Sequence, residues 1–334
     1  MTIRFGLLGA GRIGKVHARA ITGDANARLV AVADAMAPAA DAIAAAYGCD
    51  VRSIDAILSA KDIDAVVICT PTDTHADLIE AFAKAGKAIF CEKPIDLSLA
   101  RVKACLAVVR KTKAVLMVGF NRRFDPHFKA VRAEIDKGTL GEVEMVTITS
   151  RDPGAPPLDY IGRSGGIFRD MTIHDFDMAR FLLGEEVAEV SAMASVLVDP
   201  AIGKAGDSDS VQVMLRTATG KMAVISNSRR ATYGYDQRIE VHGSKGAAVA
   251  ENQRPVSIEV ATSAGYTRPP LHDFFMTRYT EAYAAEIAAF IVAVQGKAKA
   301  EPSGEDGLLA LALAEAALKS VAEGRVVKMT EVTG

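Results

Sequence analysis

The chain has 334 residues, half of them hydrophobic and about a quarter charged, which is enough for two cores rather than one. Its 39 basic and 41 acidic residues nearly cancel, and the basic pairs Arg122-Arg123 and Arg229-Arg230 stand alone, which argues against a nucleic acid or an anionic membrane as partner. Cys49, Cys69, Cys91 and Cys105 lack C-x-x-C spacing, no apolar run approaches eighteen residues, and the first strand starts two residues after Met1, so a cytoplasmic protein with reduced cysteines and no signal peptide is expected.

An apolar run from Ile3 to Leu8 meets Gly9-Ala10-Gly11-Arg12-Ile13-Gly14, and a second apolar run ends at Asp34. This reads as strand, glycine turn, helix and strand. Gly9 suits a tight turn, Gly11 lets a pyrophosphate approach the backbone, and Gly14 allows the helix to pack closely on the sheet. The helix offers unpaired N–H groups and its positive dipole end to a diphosphate. Asp34 follows Gly14 by twenty residues, the place for a carboxylate that binds the adenosine ribose hydroxyls. It would repel a 2′-phosphate, and Ala35, Met36 and Ala37 add no compensating cation, so NAD is expected rather than NADP.

Strands and helices then alternate: helices to about residue 47 and at 53–58, a strand at 65–69, a helix at 75–85, a strand at 88–91, a helix at 98–112 and a strand at 115–119. Such alternation means parallel crossover units. Near Phe120 it stops. Longer alternating stretches follow at 143–150, 187–198, 211–216, 222–226, 238–241 and 256–260, with hairpin turns at Thr219-Gly220 and at 243–246 and helices at 125–137 and 170–183. Helices at 280–294 and 307–323 close the chain. The expected fold is α/β, with an N-terminal Rossmann doubly wound parallel sheet (residues 1–120, binding NAD). The remainder (121–334) is expected to be a C-terminal α+β domain with a mostly antiparallel open sheet, binding substrate and forming oligomers. Val211, Val213 and Leu215 fill one side of a strand while Met214 joins Ser210 and Gln212 on the other, so the open face needs a cover, for which a partner subunit is expected.

Ligands of doubly wound sheets collect at the carboxyl ends of the strands. Three stretches land there: Thr70-Pro71-Thr72-Asp73-Thr74-His75, Glu92-Lys93-Pro94 and Asn121-Arg122-Arg123. A lysine beside the cofactor can donate to a substrate hydroxyl and stabilise negative charge developing on oxygen, which singles out Lys93. In Asp170-Met171-Thr172-Ile173-His174-Asp175-Phe176-Asp177 a spacing of four puts Asp170 and His174 on one helix face, with Asp177 a further turn along. A carboxylate beside a histidine fixes its tautomer and keeps it useful as a base. No H-E-x-x-H or second histidine lies at ligand spacing, so no metal is expected.

Together the glycine loop, Glu92-Lys93-Pro94, Gly119-Phe120-Asn121-Arg122-Arg123-Phe124 and the Asp170/His174 pair resemble the Gfo/Idh/MocA oxidoreductase family, and within it the branch that oxidises cyclitols. The resemblance covers essentially the whole chain. It implies Lys93, Asp170 and His174 as catalytic residues and NAD contacts at the glycine loop, Asp34, Thr70 and Glu92, with Pro71, Thr72 and His75 in the same loop. It implies substrate contacts at Lys93, Asn121, Arg122, Asp170, His174, Asp177 and Tyr233, with Tyr235 and Tyr283 as further candidates. A cis Lys93–Pro94 bond, a homo-oligomer of tetrameric form and oxidation of a ring CH–OH in a cyclitol or sugar are also implied. The family's NAD-binding sensors offer a rival reading without catalysis.

Overall fold

The computed structural model describes residues 2–333. Six parallel strands form its first sheet: β1 (Ile3–Leu8), β2 (Ala27–Ala33), β3 (Asp50–Val51), β4 (Ala65–Ile68), β5 (Ala88–Glu92) and β6 (Leu116–Gly119). Their order is β3-β2-β1-β4-β5-β6, so the sequence order reverses direction beside β1. In open α/β sheets that reversal opens a crevice at the strands' carboxyl ends. All residues of β4, β5 and β6 are buried, as strands covered on both faces by crossover helices must be. Those helices include Arg12–Gly23, Ala37–Tyr47, His75–Lys84 and Leu99–Thr112.

Contacts divide the chain into two units, Met1–Phe124 with Glu281–Leu311, and Asp125–Thr280 with Ala312–Gly334. The expected division lies at 120/121; the contacts change unit at Phe124/Asp125, and the chain returns to the first unit at Glu281. Helix Thr280–Val294 explains the return: the Phe290 ring lies 6.1 Å from that of Phe5 and 5.8 Å from that of Phe90, with Ile287 and Ile291 buried beside it. Burying one such aromatic ring contributes about 1.5–3 kcal/mol. All four cysteines are free; burial raises the Cys69, Cys91 and Cys105 thiols, the last to about 12.

The second unit holds a mixed sheet of β7 (Val143–Arg151), β8 (Val187–Ser195), β9 (Ser210–Thr217), β10 (Met222–Ser228), β11 (Asp236–Gly243) and β12 (Gly246–Ala250). A separate small hairpin pairs β13 (Val260–Thr262) with β14 (Gly265–Thr267), and β15 (Val327–Lys328) adds to the edge of the large sheet. The order is β12-β11-β7-β10-β9-β8-β15. Every neighbouring pair is antiparallel except β7 with β10. Three expectations change. The strand expected at 256–260 is the later β13, β8 stops at Ser195 rather than 198, and β12 forms where only the turn before it was foreseen. β12 is short, alanine-rich and mostly exposed, so it carries almost no periodic signal.

Side chains alternate across this sheet. Val146, Ile148, Val213, Leu215, Ala223, Ile225, Ile239 and Val241 are buried on one face, where helix Ile173–Leu183 packs. The register places Met145, Met193, Met214, Met222, Val224 and Val249 on the opposite face, all of them exposed.

Candidate active site

In the first unit the glycine turn has the shape of a diphosphate cradle. Gly9 has φ of +96°, and a Cβ there would lie 2.5 Å from the Cys69 carbonyl oxygen, so no other residue fits. A Cβ on Gly14 would collide with the Gly9 carbonyl; this glycine therefore closes the turn itself more than it seats the helix on the sheet. Around Gly11 nothing lies within 4 Å of such an atom, and Gly11 caps helix Arg12–Gly23 without a side-chain hydrogen bond. Open space over an uncapped helix N-terminus is what a pyrophosphate needs. Arg12 and Ile13 begin that helix. Asp34 directly follows β2, its Oδ2 accepting the Ala10 N–H at 2.5 Å and its Oδ1 the Met36 N–H at 2.7 Å. Each oxygen keeps a lone pair for a ribose hydroxyl. The residues present fit a dinucleotide.

Loop 70–75 follows β4. Thr70 and Thr74 hydroxyls share a hydrogen bond of 2.6 Å, and Pro71 leads into a tight turn at Thr72–Thr74. Both ring nitrogens of buried His75 face backbone carbonyls, Nε2 that of Thr70 at 2.7 Å and Nδ1 that of Pro94 at 2.8 Å. His75 thus ties this loop to the Lys93–Pro94 turn rather than offering a free nitrogen to a cofactor. That turn ends β5; its peptide bond is cis, as expected, and Lys93 is half-buried beside buried Glu92. After β6 the turn Asn121–Phe124 buries Asn121 and Arg122, and the Asn121 side-chain nitrogen has no hydrogen-bond partner among the described residues. Arg123 pairs with Asp306 at 2.9 Å. Tyr283 is buried, its ring edge-on to His17 at 5.6 Å.

In the second unit the segment expected to be one helix from 170 is two structures, a π-helical turn at Phe168–Thr172 and an α-helix at Ile173–Leu183. Such π-turns are common at functional sites, and a period of 3.6 read from sequence cannot show one. Asp170 lies in the π-turn and His174 one residue into the α-helix, both half-buried. The Asp170 carboxylate accepts the Tyr160 hydroxyl at 3.0 Å and lies 3.5 Å from the Arg229 guanidinium, which is almost wholly buried. Sequence reasoning missed both partners; the Arg229-Arg230 pair was visible, but nothing local tied it to Asp170. Next to His174, wholly buried Asp175 accepts Ser150 Oγ at 2.7 Å and Asn227 Nδ2 at 2.8 Å. This anchors the helix to β7 and β10. Asp177 is also buried.

The tyrosines differ in availability. Tyr233 is exposed, donating to Asp236 at 2.6 Å and accepting from Arg151 at 3.0 Å, which leaves one lone pair for a ligand hydroxyl. Burial and then the Asp236 bond raise its hydroxyl above the ordinary tyrosine value. Tyr235 is a core residue, packed edge-on against Phe274 and Tyr279 at 5.9 Å each.

Residues 3–120 match the oxidoreductase family with an NAD-binding Rossmann fold, and 128–249 match the GFO/IDH/MocA C-terminal domain. The chain is 77% identical to inositol 2-dehydrogenase of Rhizobium meliloti over 98% of its own length and all of the relative's. A crystal structure of a myo-inositol dehydrogenase from Corynebacterium glutamicum superposes with a TM-score of 0.94 at 42% identity, covering 98% of this chain and 99% of that one. A scyllo-inositol dehydrogenase from Lactobacillus casei, solved with NAD(H) and scyllo-inositol bound, gives 0.92 at 28% identity over 99% and 100%. With both halves of the family pattern present and the dinucleotide turn built from the residues that require it, the chain belongs to the Gfo/Idh/MocA family of NAD-binding oxidoreductases.

Proposed function

We propose that this protein oxidises a ring CH–OH of a cyclitol to a ketone at the expense of NAD, with myo-inositol giving 2-keto-myo-inositol as the reaction. The 77% identity to a named inositol 2-dehydrogenase across the whole chain carries this reading. Bound NAD supplies the acceptor for the hydride that leaves the ring carbon. His174 takes the hydroxyl proton, oriented by Asp170, while Lys93 donates a hydrogen bond to the same oxygen and stabilises its developing charge. Tyr160 and Arg229 each hold one oxygen of Asp170, which fixes the direction of the carboxylate. Asn121, Arg122, Asp177 and Tyr233 bind the remaining hydroxyls. A donor and acceptor set of this kind suits a neutral polyol; Tyr235 and Tyr283 act as packing residues. Incubation with NAD and a panel of cyclitols and pyranoses, followed by absorbance of the reduced nucleotide, tests the assignment. Preference for scyllo-inositol or glucose would move the substrate within the same chemistry, and NAD binding without turnover of any polyol would favour a sensor.

The same reading makes the protein a cytoplasmic homotetramer, paired through the exposed face of the second-unit sheet. Support comes from six apolar side chains on that face, of which Met193 is 79% and Met214 57% exposed. Single exposed apolar residues need no explanation, but a contiguous set across adjacent strands marks a contact surface. Among the described residues no helix is long and apolar enough to cross a membrane.

A further inference from the structure

Three ionisable side chains to which the proposed reaction gives no proton-transfer role lie together inside the first unit. His17 comes from helix Arg12–Gly23, Glu92 from the end of β5, and Glu286 from helix Thr280–Val294. His17 and Glu286 are wholly buried and Glu92 is 9% exposed. Charged groups in such a place are costly unless each has an electrostatic purpose. His17 Nε2 lies 2.7 Å from Glu92 Oε1 and 4.0 Å from Glu286 Oε1. The imidazole cannot swing away, because the Phe90 ring at 5.0 Å and the Tyr283 ring at 5.6 Å hold it. On its other oxygen Glu92 accepts the backbone N–H of Lys93 at 3.3 Å. Its carboxyl rests on Gly119, where even a Cβ would come within 3.1 Å.

The Glu92 carboxylate is therefore fixed on three sides: by an imidazole, by a glycine of the neighbouring strand, and by the peptide of the residue read as the hydroxyl donor. We infer that His17 is a positioning residue for Lys93, acting through Glu92, so that the start of the Lys93 turn is held by a charge-assisted hydrogen bond from helix Arg12–Gly23. The inference rests on the reading of Lys93 as that donor. Glu286 completes the arrangement by staying neutral. Neither of its oxygens has a hydrogen-bond partner among the described residues, and burial followed by the charge of Glu92 raises its carboxyl well above the usual range. A second anion there would compete for the imidazole; a protonated acid leaves it to Glu92.

The test compares full-length variants by kcat, by the equilibrium Kd for NAD and by thermal unfolding, with myo-inositol as substrate. His17→Leu removes the donor, and His17→Gln returns an N–H near the position of Nε2. Expected is a fall in kcat of tenfold or more in His17→Leu with the NAD Kd changed less than threefold, and recovery to within threefold of the parent in His17→Gln. A smaller fall, a larger change in NAD affinity, or no recovery with Gln overturns the inference. Should His17→Leu not fold, His17→Asn, too short to reach Glu92, is read by the same criteria. Glu286→Gln gives an independent reading: the neutral isostere should keep kcat within threefold, and a tenfold loss contradicts the arrangement. Lys93→Ala, measured alongside, separates the two claims. If it keeps parent kcat the Lys93 reading fails; if it is inactive while His17→Leu is not, only the positioning role fails.

Discussion

Exchanging Asp34 for a neutral residue should change nucleotide preference by an amount that the local geometry allows to be worked out. A 2′-phosphate placed about 4 Å from the carboxylate, at an effective dielectric of about 20, costs about 4 kcal/mol, or about a thousandfold in affinity. Asp34 is half-buried, with exposed Ala35 and Met36 beside it, so part of this is screened and the parent should prefer NAD by at least about a hundredfold in kcat/KM. The carboxylate also accepts the Ala10 and Met36 N–H groups, bonds to a charged acceptor worth about 1.5–3 kcal/mol each. Asp34→Asn removes the charge and keeps one carbonyl acceptor, so the NADP penalty should shrink about tenfold or more while NAD efficiency falls moderately. Asp34→Ser with Ala35→Arg goes further towards NADP but satisfies at most one of the two N–H groups, so it should also loosen the glycine turn and lower Tm. Steady-state kinetics with each nucleotide at saturating polyol, repeated at two ionic strengths, reads these ratios directly. Comparable parental efficiency with both nucleotides, or an Asp34→Asn ratio equal to that of the parent, would refute the reasoning.

Other expectations follow from the remaining groups. His174→Ala should lower kcat by roughly a hundred to ten thousandfold with NAD affinity near that of the parent, and Asp170→Asn should move the rising limb of the pH profile; near-parent kcat in His174→Ala would make Lys93 the leading candidate for proton acceptor. Burial opposes ionisation of Asp306, but Arg123 and Ser303 outweigh it and pull the carboxyl down to about 2. Its folded value lies below the ordinary carboxylate range, so it adds stability above about pH 4 that is lost as pH falls towards 2. Asp306→Asn should therefore cost about 2 kcal/mol in urea unfolding at pH 7, with the difference from the parent closing in acid. Light scattering at micromolar concentration should give a tetramer, and Met214→Glu with Met193→Glu should weaken it; a monomeric parent would remove the proposed role of the exposed sheet face.

Much of the first unit was legible because its signals are local. The run Ile3 to Leu8, three spaced glycines and Asp34 determine a strand, a turn, a helix and a second strand within a short stretch, and the alternation after them marks parallel crossover units. Helix Thr280–Val294 was legible as a helix but not as part of that unit. Its apolar positions say that it packs, and only the Phe5, Phe90 and Phe290 rings show on what. The π-turn at Phe168–Thr172 was hidden for a different reason, since a one-residue change of period leaves too little sequence to register. Site residues divide in the same way. Lys93, Asp170 and His174 stand in short motifs, whereas Arg229, which meets Asp170 from 59 residues away, and the buried His17 and Glu286 look like ordinary surface or core residues until folded. Tyr235, a further substrate candidate by resemblance alone, has its ring in the Phe274 and Tyr279 cluster, which no local pattern in the sequence shows.

The most direct test of the central claim is hydride transfer itself, followed as absorbance of reduced nucleotide when the purified protein meets NAD and, separately, myo-inositol, scyllo-inositol and glucose. NAD reduction with highest kcat/KM for myo-inositol, lost in Lys93→Ala and His174→Ala, is the predicted result. A protein that binds NAD yet reduces it with none of these polyols would contradict the account and leave a nucleotide sensor in its place.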